Sequence, residues 1–277
     1  MNARGDHGDP EGASQMRGKA AIGSRRQKTR LSFLYLLVLT FPITMNYFSP
    51  VIIMMAASEG VMNFSFFYWT GFLVLSLLFG RALCGWLCPL GGMQEIKDRS
   101  VPRRLPDYQR LRHIKFGLTL VWLAALVALA AVGGGYTRVD LLFLTESGVS
   151  IDRAYGWVIY GIIAGMVLLP TFFVGQRGFC HYFCPWSGLN IAGTWIKTRL
   201  RLWSLHLVSD ATKCTNCGTC DRNCPMSLPV HGMVQRADMY HRECIYCGTC
   251  VDNCPGGAIR YRWGHPPERL RKEKGPD

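Results

Sequence analysis

Four stretches of this chain run without a charged residue: 31–58, 61–80, 116–135 and 156–175. The last three have twenty residues each, the length a helix needs to cross roughly 30 Å of hydrocarbon. Buried helices of a soluble core seldom run so long without a charge. The first stretch is 28 residues long and carries Pro42 and Pro50. A proline frees backbone groups that lipid cannot satisfy. The first helix is therefore expected to end near Phe48, with 51–57 as an apolar stretch at the outer surface. At this length it exceeds the apolar core of a secretory leader, about 7–15 residues, so it reads as an uncleaved membrane segment. The pattern predicts an α-helical membrane protein with four transmembrane helices, spanning 31–190.

The polar remainder divides the rest of the chain. Residues 1–30 are rich in glycine, serine and charge, show no apolar periodicity and contain seven Lys/Arg, as expected of a disordered basic cytoplasmic tail. Within 191–208, Trp195, Ile196, Leu200, Leu202 and Trp203 alternate with Lys197, Arg199 and Arg201, a composition suited to an interfacial linker. A small domain follows over 209–263, and 264–277 is a charged, proline-containing tail. The formal net charge of +13 suggests nucleic acid at first sight. The basic residues flank apolar runs instead, so they act as topology signals and no nucleic-acid partner is expected. The 81–112 connection carries seven Lys/Arg, against none in 58–60 and two in 136–155. By the positive-inside rule the N-terminus, the 81–112 loop and everything after Gly175 lie on the cytoplasmic side of the inner membrane, N-in and C-in.

All twelve cysteines fall in repeated motifs. Eight follow Cys214-x2-Cys217-x2-Cys220-x3-Cys224-Pro225 and Cys244-x2-Cys247-x2-Cys250-x3-Cys254-Pro255. This is the spacing of a small α+β bacterial ferredoxin that holds two [4Fe–4S] clusters, with the fourth cysteine of each run ligating the other cluster. One cluster then takes Cys214, Cys217, Cys220 and Cys254, and the other takes Cys244, Cys247, Cys250 and Cys224. Structural zinc fits less well, because zinc pairs come as Cys-x2-Cys without a third cysteine at the same interval. No cysteine is left for a disulfide framework, which indicates a reducing compartment.

The remaining four cysteines mark an internal repeat. A shift of 96 residues aligns Arg81-x2-Cys84-x3-Cys88-Pro89-x2-Gly92 with Arg177-x2-Cys180-x3-Cys184-Pro185-x2-Gly188. The membrane part is thus two repeated helix hairpins, each ending in Cys-x3-Cys-Pro. On a helix, residues i and i+4 share a face, so Cys84/Cys88 and Cys180/Cys184 could converge as a complete Cys₄ set for a third cluster. Redox-active thiols or small buried residues are the alternatives. Other chemistry is sparse. There is no Walker loop, Rossmann glycine fingerprint or haem attachment site, so no haem or nucleotide is expected. His113 sits at the edge of the third helix, and His181, His206, His231, His241 and His265 read as solvated cytoplasmic residues. Glu59, Asp140, Glu146 and Asp152, near the outer face, could accept protons from a quinol, although solvated loop acids are the simpler reading.

The four helices, the stretch Gly80-Arg81-Ala82-Leu83-Cys84-Gly85-Trp86-Leu87-Cys88-Pro89, its second copy and the two terminal cysteine runs together resemble a known family. They are similar to the NapH-type membrane ferredoxins, the quinol dehydrogenase components associated with periplasmic nitrate reductase. Related nitrous-oxide-reduction, methylamine-utilisation and oxidase-assembly ferredoxins share the Cys-x3-Cys-Pro signature. The resemblance covers roughly 31–260 and implies quinol oxidation in the bilayer, with electrons passed from the quinone pool to a partner redox protein. Two other functions fit the same residues: an assembly factor that reduces a metal or a partner protein, and a membrane anchor for a ferredoxin with no quinol site.

Overall fold

The computed structural model describes residues 23–101, 103–104, 113–145, 148–151 and 154–266. Most of the two expected tails, together with Glu146 and Asp152, lies outside the described residues. Helix α1, Arg25–Thr44, starts where the Ser24 side chain accepts from the Gln27 amide, within the stretch expected to be tail. Its first turn is held by the C-terminal domain. Arg26 pairs with Asp252 at 3.1 Å, and Gln27 donates to the Cys247 carbonyl at 2.9 Å. A hydropathy pattern registers these residues only as polar. A 3₁₀ turn, Met45–Phe48, separates α1 from α2, Pro50–Ser58, which Ser49 caps.

Next come α3 (Phe64–Phe79), α4 (Ala82–Trp86), α5 (Pro89–Ser100), α6 (Ile114–Val132), α7 (Ala154–Phe173), α8 (Gly178–Tyr182) and α9 (Pro185–Arg199). Contrary to the sequence expectation for 51–57, α2 lies along α6. Trp122 Nε1 donates to the Pro50 carbonyl at 3.1 Å, and Gly133 is so close that a Cβ there would stand 2.7 Å from the Ala57 carbonyl. Among the described residues, three spans are long and apolar enough to cross a membrane: Arg25–Ser58, Ile114–Val132 and Ala154–Phe173. Helix α3 is apolar but has only 16 residues. Large apolar side chains such as Leu120, Val132 and Phe173 face outward on these helices, a surface suited to lipid rather than water.

The repeat is visible in the packing. Helix α5, which follows the first Cys-x3-Cys-Pro, lies against α1 and α7, and α9, which follows the second, lies against α6 and α3. Each post-motif helix therefore touches its own hairpin and the other one. The glycine three residues after each proline makes this possible. A Cβ on Gly92 would stand 3.5 Å from Leu34 Cβ, and one on Gly188 would stand 3.2 Å from Thr119 Cβ. Strands β1 (Val61–Met62) and β2 (Arg138–Val139) pair in parallel and join two interhelix loops. Glu59 and Asp140 are exposed there. Glu59 lies 3.7 Å from Arg138, and Asp140 accepts from the Leu142 amide.

The C-terminal domain is framed by β3 (Ser204–Ser209) and β4 (Ile259–Gly264), antiparallel from Ser204↔Gly264 to Ser209↔Ile259. Short helices α10 (Thr219–Arg222), α11 (Val230–Gln235) and α12 (Thr249–Asp252) lie between them. The domain thus begins at Ser204 rather than at 209. Much of the expected linker is the second half of α9, where Ile191, Thr194 and Lys197 are buried. Leu200 to Trp203 connects the two parts.

Candidate iron–sulfur centres

In the C-terminal domain both cysteine runs turn in the same way. Asn216 (φ 56°) and Gly218 (φ 66°) adopt left-handed backbone in the first run, as do Tyr246 (φ 47°) and Gly248 (φ 78°) in the second. These positive-φ positions, of which glycine supplies one per turn without strain, turn each loop sharply between its first and third cysteines. Cys224 leaves its own run and joins the other. Burial pushes its thiol up to about 12, and Cys247 and Cys244 add to the shift. Cys250 is raised by burial and then by Cys247, Cys244 and Cys224. These four cysteines line one cavity of about 30 Å³ together with Met226 and Ile245. In the other set, Cys220 is pushed up to about 11, mainly by burial, with Cys214 among its neighbours. Cys217 is exposed, and hydrogen bonding to Thr219 draws it down to about 7. Cys254 Sγ accepts from the Ala258 amide at 3.2 Å.

The other group of cysteines comes from the repeat. Cys84 sits in α4 and Cys180 in α8, and Cys88 and Cys184 are the residues just before α5 and α9. The Cys184 thiol is raised by burial and then by Cys180, Cys88 and Cys84. Cys88 is pushed up to about 12 by burial and then by Cys84 and Cys180. The four thiols therefore neighbour one another across both hairpins, with Cys180 buried and Cys84, Cys88 and Cys184 half-buried. Both motif arginines are fully buried beside them. Arg177 Nη1 donates to the Cys84 carbonyl at 3.3 Å, and Arg81 Nη2 donates to Ser187 Oγ at 2.8 Å, so each reaches into the other repeat. Gln94 Nε2 donates to Cys180 Sγ at 3.1 Å. A layer of Trp69, Trp122 and Trp186 packs beneath the thiols, with Trp69 and Trp186 stacked at 3.7 Å.

Comparison with known proteins follows the same division. Residues 63–106 and 155–190 match a family described as a 4Fe-4S binding domain, and 213–259 match a 4Fe-4S dicluster domain. An uncharacterised protein of Methanocaldococcus jannaschii is 29% identical over 57% of this chain and 63% of its own length. The putative electron transport protein YccM of Escherichia coli is 27% identical over 59% and 46%. The ferredoxin-type protein NapH of Haemophilus influenzae is 24% identical over 58% and 54%. The chain thus spans about half to three-fifths of the length of these relatives. No solved structure matches it. The chain is thus similar to ferredoxin-type membrane proteins, NapH among them. Both matched families are 4Fe-4S domains, so the chain carries iron–sulfur binding segments in its membrane part and in its C-terminal domain.

The cysteine sets are compatible with iron–sulfur clusters. Among the described residues, no three Cys, His, Asp or Glu side chains converge on one point as a single metal ion requires. Cubane thiolates each hold a different iron, so they surround the group without meeting. Beside the four-thiol set, Arg81 Nε and Arg177 Nε are buried without a hydrogen-bond partner among the described residues. Cluster sulfur or thiolate is an acceptor of the kind these donors lack.

Several polar residues of the site were missed by the sequence reading. Glu95 accepts from Arg30 at 2.6 Å and from Arg177 at 2.9 Å. Glu243 accepts from Arg81 at 2.5 Å and also from Lys115. His181 and His206 are buried rather than solvated, with His181 Nδ1 3.9 Å from Glu243. The one available signal was the recurrence of Arg81 and Arg177 at equal positions in the repeat. A buried cation needs a buried acid, but sequence does not say which one.

Proposed function

We propose that this protein oxidises a quinol in the bilayer and delivers electrons to a partner redox protein, using [4Fe–4S] clusters held by three cysteine sets. Cys84, Cys88, Cys180 and Cys184 hold the membrane-side cluster. Cys214, Cys217, Cys220 and Cys254 hold the second, and Cys244, Cys247, Cys250 and Cys224 the third. Bound there, such clusters supply one-electron transfer at potentials tuned by charge, hydrogen bonds and burial. The observation that carries this reading is the contact between two of the sets. Gly85, next to Cys84, touches the backbone of Ile245, next to Cys244: a Cβ on Gly85 would stand 2.6 Å from the Ile245 carbonyl. Trp86 Nε1 also donates to the Tyr246 carbonyl at 3.2 Å. The loops that carry Cys84 and Cys244 are thus in direct contact.

A cavity of about 410 Å³ opens at this contact, lined by Phe79, Leu83, Trp86, Tyr246 and Tyr261, with Arg26 at its edge. Its size falls within the usual range for small-molecule sites, and its aromatic walls with a few polar groups suit a flat ring such as a quinol head. Anaerobic mixing with a soluble quinol analogue tests the reading. Bleaching of cluster absorbance is expected, whereas an inert protein would favour the assembly-factor or anchor alternatives. Iron analysis tests the cluster count. The anaerobically prepared full chain should hold about twelve irons and the Cys84/Cys88/Cys180/Cys184→Ser variant about eight, four per cubane.

The loop charges support an N-in, C-in arrangement with four spans, α3 being the shortest. A reporter active only outside the cytoplasm should be silent when fused after Asp277 and active when inserted near Ser147. The opposite pattern would overturn the topology.

A further inference from the structure

The repeat carries a second symmetry, one of charge. In the first hairpin Arg30 on α1, Glu95 on α5 and Arg177 from the other repeat form a buried triad, with Glu95 accepting from both arginines. In the second hairpin Lys115 occupies the place of Arg30. The offset is 85 residues, the same as between Thr119 and Leu34, the residues that face the two motif glycines. Arg81 occupies the place of Arg177. The residue matching Glu95 under the 96-residue shift is Ile191, which is buried and has no acid to offer. Glu243 fills that role from the C-terminal domain, where it accepts from both Arg81 and Lys115.

We propose that Glu243 is a positioning residue for the four-thiol site: an acid lent by the ferredoxin domain that completes the second triad, latches that domain over the thiols and sets the charge around them. This inference rests on the membrane-side cluster proposed above. Each triad has two cations and one anion, so each contributes a net +1 when His181 is counted as neutral. Lys97 and Asp98, 3.5 Å apart, cancel, and Arg99 lies at the partly exposed rim. Among the described residues, these groups around the four thiols therefore sum to +2. Four thiolates on an oxidised [4Fe–4S] core of charge +2 carry −2. Matched charge is what allows such a group to stay out of water. Without Glu243 the surround becomes +3, Arg81 and Lys115 lose their shared partner, and a contact holding the Cys244 loop against Gly85 is lost.

The test reads potential and iron rather than turnover. In the full-length protein, Glu243→Gln should make the membrane-side cluster easier to reduce, and Arg81→Gln should make it harder. Each shift should be about tenfold in the reduction equilibrium, which for one electron is about 59 mV. Midpoints come from an electron paramagnetic resonance titration. Ile191→Glu added to Glu243→Gln should restore the midpoint, because it returns the acid to the position the repeat assigns. If Glu243→Gln fails to assemble the cluster, the same second change should restore about four irons, and lack of rescue overturns the proposal. Shifts of the same sign in both single variants, or a shift confined to the Cys244 cluster, also overturn it. Twelve irons with an unmoved midpoint would overturn this inference alone. Eight irons in the unaltered protein would remove the membrane-side cluster and this inference together.

Discussion

Replacing Cys84 and Cys180 together by serine is expected to stop quinol-driven reduction of the ferredoxin clusters while leaving their reduction by dithionite intact. Together the two changes remove one thiol from each repeat, so a group held jointly by the two hairpins loses two of its four donors. The ferredoxin cysteines keep their own loops and left-handed turns. Outer-shell changes at metal sites typically cost 10–100-fold. Losing two ligands should therefore lower the quinol-driven rate by more than about a hundredfold. The two reductants separate the outcomes, since dithionite reduces the ferredoxin clusters without needing the four thiols. An unchanged quinol rate would show that electrons bypass the four thiols. The cavity beside Tyr246 would then be the place to look for direct delivery.

The second large effect is expected from Cys254→Ser. Ligation that crosses between the two runs makes this change damage the cluster held by Cys214, Cys217 and Cys220, with a loss of about four irons per chain. Cys224→Ser should damage the other. The neighbourhood of Cys224, with Cys244, Cys247 and Cys250 around one cavity, supports crossing on that side. Spectra of the two single variants should therefore lose opposite clusters. Loss of the Cys244 cluster from Cys254→Ser would mean that each run ligates its own.

Cysteine spacing and uncharged run length were both legible along the chain, because each depends on neighbours within a few dozen residues. The 96-residue repeat suggested that two thiol pairs could converge, and Cys184 has Cys88 and Cys84 of the other copy among its neighbours. The start of α1 was misplaced because Gln27 and Arg26 are held by Cys247 and Asp252, more than 200 residues away. His181 looked solvated because its burial depends on a domain that packs over it. Residues 204–208 read as linker because β3 is stabilised only by its pairing with β4.

Sequence alone determined the ligand types, their spacing, the apolar segments and the two-copy organisation, all of which follow from local geometry and from the length of a helix against a bilayer. Tertiary structure alone decided which acid neutralises which buried cation. Glu95 comes from within the repeat and Glu243 from another domain, because a buried charge needs a partner within a few ångströms in space and any distance along the chain will serve. It also decided that the two post-motif helices cross between hairpins, and that Gly85 meets Ile245 and so joins the membrane thiols to the ferredoxin cysteines. Those outcomes depend on close packing of surfaces remote in sequence, where one absent Cβ permits a contact that no periodicity records.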